Sequence, residues 1–434
     1  MKEKPVKIQI LRGMKDILPD EAVKWRYVEN AALSLFSAYG YKEIRTPVME
    51  ERSLFERSIG SATDIVQKEM YVLTDRGGRD MALRPEGTAS IARAYIEHNL
   101  ANKEGFVKLF YMGPMFRGER PQAGRQRQFH QIGAEAVGSA SPYVDVEIIS
   151  LLVRLLEALK LKDFKLHINN LGCFKDRAKI KDELREILKR EVSRLCDDCK
   201  ERIIKNPLRM LDCKNESCRQ LTRELPNMFG KHMCQDCRAH FEKVKEALNA
   251  LKIPFQIDPK MVRGLDYYTR TGFEVTHPAL GSKDAIGAGG RYDSLIKDFG
   301  GPEVGACGFA LGTERLLMAM ENAGARPPGK KRQPLVYIAT LGEASFKKGF
   351  ELLDLFRKSD IHSDIDYEGK SLKAQMRTAD KKGAEFVIII GDEELKQSKV
   401  LLRDMKSKKQ KAVNIDKVVD VVRNMQKVKC EGAK

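Results

Sequence analysis

The stretch from Phe110 to Glu135 has the residue types best suited to phosphate chemistry. It places Arg117, Arg120, Arg125 and Arg127 around a loop with Pro and Gly between two apolar segments. Each guanidinium offers a fixed fork of donors that matches phosphoryl oxygens, and two strands would hold these forks in place as negative charge develops. The pattern indicates either a phosphate site or a solvated basic hairpin.

Seven of the nine cysteines lie between Cys173 and Cys237, a spacing more typical of metal ligation than of an extracellular disulfide framework. The pairs are Cys196-x2-Cys199, Cys213-x4-Cys218 and Cys234-x2-Cys237. We predict that the outer two pairs, Cys196 with Cys199 and Cys234 with Cys237, supply four thiolates to a structural zinc. Six cysteines exceed what one such ion needs, so free thiols and a redox role are the alternatives.

Two glycine-bearing segments fail as nucleotide-binding fingerprints. Residues 324–331 have two prolines in the loop and Lys331 where a P-loop requires Ser or Thr. The string GAGGRYD lacks the spacing of a dinucleotide fingerprint, but its glycines would let the backbone approach a ligand closely.

Composition indicates a multidomain protein with a polyanionic partner. The 434 residues exceed one ordinary core, and Lys and Arg outnumber Asp and Glu by 78 − 61 = 17. A positive excess of this size favours nucleic acid, although a merely basic surface would give the same count. No apolar run approaches the ~18 residues of a membrane span and no signal peptide is evident, so we expect a cytoplasmic protein without a membrane partner.

The apolar pattern predicts an α+β fold. A helix that Asp20 would cap ends at Gly40, and Pro47 marks an edge strand. The segments MYVLTD, FVKLFYMGPMFRG and QFHQIGAEAVG read as strands joined by turn-rich loops, which indicates an antiparallel sheet. A helix over residues 143–160 and a strand at Lys165–Asn169 follow.

Changes in composition divide the chain. Residues 1–172 and 253–325 carry the strand and helix signals of one domain, and residues 173–252 read as a charged, mostly helical insertion. A linker at residues 326–333 is rich in Pro, Gly and basic residues. Residues 334–434 alternate strands and helices, which predicts a small α/β domain with a largely parallel sheet.

Four ordered signatures give the chain a specific resemblance. They are LRPEGTA at Leu83–Ala89, FRGERPQAGRQRQFHQIGAE at Phe116–Glu135, RGLDYYTRTGFE at Arg263–Glu274 and GFALGTERL at Gly308–Leu316. Together they resemble the histidyl-tRNA synthetases, a class II family. The opening GMKDILPD and the segment YGYKEIRTPVMEE resemble the family's start and first class II motif, and the second and fourth signatures resemble motifs two and three. The resemblance covers nearly the whole chain.

The resemblance implies a fold and an activity. It implies a class II antiparallel catalytic sheet flanked by helices over residues 1–172 and 253–325, a helical insertion, and a C-terminal α/β anticodon-binding domain, within a homodimer. The implied reaction is ATP-dependent activation of L-histidine to histidyl-adenylate, followed by transfer of histidine to the 3′ end of tRNA-His. Magnesium would accompany ATP as its phosphate-bound ion.

The resemblance also assigns roles to residues. Arg117 would contact the α-phosphate, Arg315 would lie toward the γ-phosphate, and Arg263 would approach both the histidine carboxylate and the α-phosphate, so Arg117 and Arg263 are the candidate catalytic residues. The residues implied for histidine are Glu86, Gly87, Thr88, Gln131, Glu135, Tyr267 and Tyr268. The tRNA acceptor end would meet Arg120, Gln122 and Arg125, and the C-terminal domain would read the anticodon arm.

Two other functions fit part of the sequence. A catalytically silent paralogue that senses histidine would share the motifs, but the intact RGLDYYTRTGFE and the complete C-terminal unit count against it. A zinc-containing nucleic-acid-binding protein would account for charge and cysteines and leave the four signatures unexplained.

His130, beside the arginine loop, is either a base for the transfer step or a packed histidine.

Overall fold

A computed structural model gives the fold of most of the chain. It describes residues 8–61, 63–122, 124–213, 215–225, 228–281, 285–325 and 335–431. The chain divides into two compact units, Met1–Pro327 and Pro328–Lys434. The predicted linker at residues 326–333 lies outside the described residues.

The first unit combines sheets and helices. Its described strands are β1 Lys42–Glu43, β2 Met49–Glu51, β3 Val72–Thr74, β4 Asp80–Leu83, β5 Val107–Phe116, β6 Gln128–Val137, β7 Lys165–Asn170, β8 Gln256–Ile257, β9 Thr269–Thr276, β10 Ala285–Arg291 and β11 Ala306–Gly312. Its described helices are α1 Pro19–Ala38, α2 Arg52–Ile59, α3 Thr88–Glu97, α4 Leu100–Glu104, α5 Pro142–Ala158, α6 Phe174–Arg190, α7 Asp197–Lys205, α8 Glu216–Glu224, α9 Met228–His232, α10 Gln235–Ala250, α11 Leu295–Asp298 and α12 Thr313–Asn322.

The main sheet of this unit runs in the order β1-β5-β6-β11-β10-β9-β7-β8. The central pairings from β5 to β7 are antiparallel, which confirms the predicted fold class, whereas β1 and β8 add to the edges in parallel. Parallel neighbours need a long connection. Here β2 to β4 separate β1 from β5, and helices α6 to α10 separate β7 from β8, so the sheet is mixed at its edges.

Alternate residues of β5 face two different cores. Phe110 packs with helices α1, α5, α10 and α12 on one face, whereas Leu109 and Tyr111 pack with α3 and the insertion helices on the other. Successive side chains of a strand point to opposite faces, and each large buried side chain contributes roughly 1.5–3 kcal/mol through the removal of apolar surface from water. Helices α6 to α8 of the predicted insertion therefore pack on one face of the sheet, whereas α10 packs on the other.

The start of α1 and the position of Pro47 differ in detail from the predictions. Helix α1 begins at Pro19 with Leu18 as its N-cap, so Asp20 lies in the first turn rather than at the cap. Proline is well suited to a first helical position because its missing N–H has no partner there anyway. Pro47 follows the edge strand β1 and lies in the connection to β2.

The second unit is an α/β domain. Its described elements are β12 Leu335–Thr340, α13 Glu343–Lys358, β13 Ser363–Ile365, α14 Leu372–Lys382, β14 Ala384–Ile390, α15 Asp392–Lys396, β15 Lys399–Asp404, β16 Gln410–Asn414 and α16 Val418–Glu431. The sheet order is β13-β12-β14-β15-β16, parallel from β13 to β14 and antiparallel beyond. The prediction of a largely parallel sheet missed β15, which follows the short helix α15, and β16, which a short loop joins to β15.

Across the described residues of both units, no helix combines the length and the apolar character that a bilayer span requires.

Candidate active site

Glu135 lies buried in the middle of the main sheet. It stands on β6 opposite Gly308 of β11, and 1% of its surface is exposed. The Thr88 hydroxyl donates to its Oε1 at 2.7 Å and the Tyr292 hydroxyl donates to its Oε2 at 2.5 Å. A Cβ at position 308 would lie 1.6 Å from Oε2, so the carboxyl group needs glycine there.

Burial sets the ionisation of Glu135. It raises the pKa of this carboxyl to about 8, while the hydrogen bonds from Tyr292 and Thr88 act in the opposite direction. At neutral pH the uncharged form of this carboxyl group is therefore favoured.

Glu86 fixes the start of α3 beside this carboxyl. Its two carboxylate oxygens accept from the backbone N–H groups of Thr88 at 2.6 Å and Ala89 at 2.9 Å. Burial raises the pKa of Glu86, and these backbone donors oppose the change. A Cβ on Gly87 would lie 2.3 Å from the Tyr111 ring, so Gly87 serves close packing.

Tyrosines form the apolar side of the site. The rings of Tyr267 and Tyr268 have centroids 4.6 Å apart, and the Tyr292 ring lies edge-on to Tyr267 at 5.6 Å. Burial raises the pKa of Tyr268 to about 12, so its hydroxyl keeps its proton at neutral pH. Arg263 lies over the Tyr268 ring, with its guanidinium carbon 5.6 Å from the centroid.

The three arginines implied for phosphate and carboxylate binding meet at this site. Arg263 donates from Nη1 to Glu274 at 2.7 Å, and among the described residues its buried Nε has no partner. Arg117 donates from Nε to the Pro85 carbonyl at 2.9 Å. Arg315 is the third residue of α12. Two of these groups are thus oriented by protein contacts that leave donors for a ligand.

These side chains line one cavity of about 280 Å³. Its lining residues are Glu86, Thr88, Arg117, Glu119, Gly124, Arg125, Gln126, Phe129, Gln131, Arg263, Leu265, Tyr267, Tyr268, Glu274, Ala285, Ile286, Gly287, Ala288, Ala310, Gly312, Glu314 and Arg315. Glu135 is not among the lining residues, but it is hydrogen-bonded to Thr88, which is. Gln131 presents a buried Oε1 without a partner in the described part of the chain.

The sequence patterns did not indicate three carboxylates of the cavity, Glu119, Glu274 and Glu314. Glu119 pairs with Arg125 at 2.8 Å, and Glu274 pairs with Arg263. Glu314 accepts from the backbone N–H of His130 and contacts its ring Nδ1 at 3.0 Å. All three lie within the quoted signatures, but an acidic residue in an arginine-rich motif reads as an ordinary surface ion pair.

His130 packs rather than faces the cavity. Its ring lies edge-on to Trp25 of α1, with centroids 4.7 Å apart, and its Nδ1 contacts Glu314. These contacts favour the packed histidine over a base for the transfer step.

The loop between β5 and β6 turns at Gln122. Its backbone exchanges hydrogen bonds with that of Arg125 at 3.0 and 2.9 Å. Arg120 and Gln122 are exposed and lie away from the cavity lining, whereas Arg125 is part of it. The loop therefore joins the cavity to an exposed basic tip.

The cysteines group differently from the predicted zinc set. Cys196 and Cys199 meet the middle pair, and we call these residues, Cys196, Cys199, Cys213 and Cys218, the four-cysteine group. A second cluster, the three-cysteine group, consists of Cys173, Asp176, Cys234 and Cys237. The set of Cys196, Cys199, Cys234 and Cys237 is wrong because the turn over Pro207–Asp212 returns the chain to the start of α7, whereas Cys234 begins α10 beside the start of α6.

Comparisons with known proteins agree with this geometry. The family model described as histidyl-tRNA synthetase matches residues 13–316, and the one described as anticodon binding domain matches residues 335–425. A histidine–tRNA ligase of Halothermothrix orenii is 46% identical over 417 residues, 96% of this chain and 98% of the relative. One of Pelotomaculum thermopropionicum is 47% identical over 412 residues, 95% of this chain and 96% of the relative. The structure of apo S. aureus histidyl-tRNA synthetase has a TM-score of 0.79 at 35% identity and covers 96% of this chain and 99% of its own.

Proposed function

Because the chain belongs to the histidyl-tRNA synthetase family, it activates histidine with ATP and charges tRNA, and we propose that the cavity described above is where both steps occur. The observation that carries this proposal is the meeting of Arg117, Arg263 and Arg315 with the polar groups around Glu135 in one cavity. Nothing in the comparisons favours the histidine-sensing alternative.

Histidine presents an ammonium group, a carboxylate and an imidazole. We assign the ammonium group to Glu86, Thr88 and Gln131, which supply acceptor oxygens. The imidazole would lie against Tyr267 and Tyr268, near Glu135, which is able to accept from or donate to a ring nitrogen. A site that pairs the substrate's polar atoms rejects analogues lacking them by ~10⁴ or more, so histidine selection does not require an editing step.

Activation joins the histidine carboxylate to the α-phosphorus of ATP and releases pyrophosphate. The nucleophile is already ionised at pH 7, so the chemistry needs charge stabilisation rather than a base. Arg263 would hold the carboxylate against the α-phosphate, Arg117 would stabilise the charge on that phosphate, and Arg315 would bind the γ-phosphate. In the second step the terminal ribose hydroxyl of tRNA attacks the carbonyl carbon and AMP leaves.

Magnesium accompanies ATP in class II synthetases. It prefers carboxylates, phosphates and retained waters at near-octahedral geometry. The carboxylates of the cavity wall are Glu86, Glu119, Glu274 and Glu314. Glu86 already accepts from the backbone of α3, and the chemistry of the other three fits such an ion. Each of these three carboxylates already contacts a basic side chain, so we propose that the ATP phosphates supply most of the magnesium ligands.

For tRNA, we propose that Arg120, Gln122 and Arg125 approach the acceptor end. The exposed tip of their loop stands directly beyond the cavity wall that Arg125 helps to form. The C-terminal unit, which matches the anticodon-binding model, would read the anticodon arm of tRNA-His.

A homodimer is the proposed assembly, in the cytoplasm where tRNA and ATP are available. Its support is the exposure of four apolar side chains on or beside the three-stranded sheet β2-β4-β3, near Pro47, namely Val48, Met49, Val72 and Leu73. Exposed apolar surface is a common feature of interaction sites. Sedimentation at micromolar concentration would give a dimer mass; a monomer mass would refute the assembly.

Steady-state pyrophosphate exchange distinguishes the phosphate contacts proposed for Arg315 and Arg117. Arg315→Ala should raise the KM for ATP and leave the KM for histidine near its normal value, because the γ-phosphate is bound before and after the chemical step. Arg117→Ala should mainly lower kcat by about 10²-fold or more, as expected when a transition-state contact is lost. Arg120→Ala is the matched control and should leave exchange unchanged. Equal effects of all three changes would contradict the assignment.

A further inference from the structure

The four-cysteine group has the geometry of a metal centre. Its four sulfurs all lie within 4.8 Å of one another, and Cys196 Sγ is 3.8 Å from Cys213 Sγ. A tetrahedral zinc with Zn–S bonds of about 2.3 Å has ligand–ligand edges of about 3.8 Å, whereas a disulfide would bring two sulfurs to about 2.05 Å. The sulfurs are thus spaced for one ion.

The surroundings of these cysteines also suit a metal. Cys199 and Cys218 are fully buried, and the backbone N–H of Cys196 donates to Cys218 Sγ at 3.3 Å, a contact that stabilises a thiolate. Helices α7 and α8 are nine residues each and mostly polar on their exposed sides. Short polar elements bury little apolar surface, and a bound ion supplies the missing stabilisation.

The loop that these cysteines close reaches the active site. Its far end is Asn206, at the end of α7, whose side-chain amide donates to Asp266 at 2.8 Å. From the same helix, Arg202 donates to Asp64 at 3.0 Å. Asp266 immediately precedes Tyr267 and Tyr268 of the cavity wall. A partly buried hydrogen bond therefore connects the end of α7 to the residue that precedes the tyrosines.

We propose that the four-cysteine group binds one zinc ion through four thiolates, and that this ion holds Asn206 against Asp266 and so positions the tyrosine wall of the histidine site. Four soft sulfur ligands in a tetrahedral arrangement select zinc or iron–sulfur chemistry, and sulfurs this close together fit a single ion. The zinc site stands on the cysteines alone, whereas its effect on histidine binding rests on the proposed function.

The three-cysteine group provides the matched comparison. Its Asp176 accepts from the backbone N–H groups of Cys234 at 3.2 Å and Cys173 at 3.4 Å, so its carboxylate already fixes the starts of α10 and α6. This group contains only three sulfurs and is unable to give the spectrum of four thiolates.

The test measures metal in the full-length protein. Elemental analysis should find zinc that Cys213→Ser lacks, and cobalt(II) replacement should give the charge-transfer and d–d bands of a tetrahedral four-thiolate ion. These bands should vanish in Cys213→Ser and persist in Cys234→Ser and Cys307→Ala. Absence of tightly bound metal, iron in place of zinc, or bands that survive in Cys213→Ser would overturn the zinc site.

The positioning role has a separate readout. Asn206→Ala should keep the cobalt bands yet raise the KM for histidine about tenfold or more, as expected for loss of a partly buried hydrogen bond to a charged group, with a smaller change in the KM for ATP. An unchanged histidine KM in Asn206→Ala, with metal retained, would overturn the coupling. Metal content is measured without activity, so failure of the proposed function would not be mistaken for absence of the ion.

Discussion

At the scale of single residues, the site depends on what surrounds Glu135. Thr88 and Tyr292 donate to its two oxygens, and Gly308 leaves the space that the carboxyl group occupies. The motif resemblance pointed to Glu135 as a candidate residue but gave no account of its surroundings. Its burial raises its pKa to about 8, and in the proposed function this carboxyl group helps to recognise the imidazole.

This burial makes stability depend on pH. The carboxyl of Glu135 titrates near 4.5 in the unfolded chain and near 8 in the folded one, so over that interval the folded state holds the extra proton. The free energy of unfolding therefore falls as pH rises from about 4.5 to about 8. In urea unfolding of the ligand-free enzyme, Glu135→Gln should lose less stability over this interval than the wild type. A constant difference between the two proteins across that range would contradict the assigned environment.

At the scale of elements, a buried ion pair joins α5 to β10. Both Asp145 and Arg291 are fully buried, and Arg291 donates to Asp145 from Nε at 2.8 Å and from Nη2 at 2.5 Å. His240 of α10 contacts the other oxygen of Asp145 at 2.7 Å. Burial alone would raise the pKa of Asp145, but the charge of Arg291 and the contact with His240 lower it. The carboxylate of Asp145 therefore connects α5, β10 and α10.

Removal of this carboxylate's charge should destabilise the first unit. Asp145→Asn would leave the buried Arg291 with Asp293, which Nη1 contacts at 2.9 Å, as its remaining carboxylate partner. Breaking the buried pair costs about 3–5 kcal/mol of unfolding free energy. Denaturant unfolding followed by intrinsic fluorescence measures the loss. Glu303→Gln, at an exposed pair with Lys297, is the control and should change stability little. Equal stability of Asp145→Asn and the wild type would show that the pair is dispensable.

The elements also show what the sequence could predict. Strands such as β5 and β6 were predictable because each is a ten-residue segment rich in apolar residues and bounded by turn-rich loops. β15 and β16 were missed because Lys399–Asp404 and Gln410–Asn414 are short and charged, and the sheet rather than local preference stabilises them. The cysteine pairing depended on a return of the chain at Pro207–Asp212, which spacing alone does not encode. The motifs were enough to predict the cavity arginines, whereas the carboxylates beside them were identified only once the fold was known.

At the scale of the whole molecule, two separate units divide the work. Each unit has its own hydrophobic core, and the cavity is built entirely from residues before 316. In the proposed function the first unit carries the activation site, whereas the second, which matches an anticodon-binding model, contacts tRNA. Adenylate formation and tRNA charging should therefore respond differently to loss of the second unit.

A chain ending at residue 325 tests this division. It should retain histidine-dependent adenylate formation to within about tenfold, because its site is complete, and should lose charging of tRNA-His by several orders of magnitude through weaker tRNA binding. Adenylate formation and charging are measured on the same preparation, with circular dichroism confirming that the fragment is folded. Equal losses in both reactions would contradict a division by unit.

The most direct test of the central claim is histidine-dependent exchange of labelled pyrophosphate into ATP by the wild type, Arg263→Ala and Glu135→Ala. We expect robust exchange with histidine in the wild type, no exchange without histidine, and a loss of at least about 10²-fold in each variant, because Arg263 and Glu135 belong to one site. Wild-type protein that binds histidine but catalyses no exchange would contradict the account, and undiminished exchange in both variants would mean that the reaction occurs elsewhere.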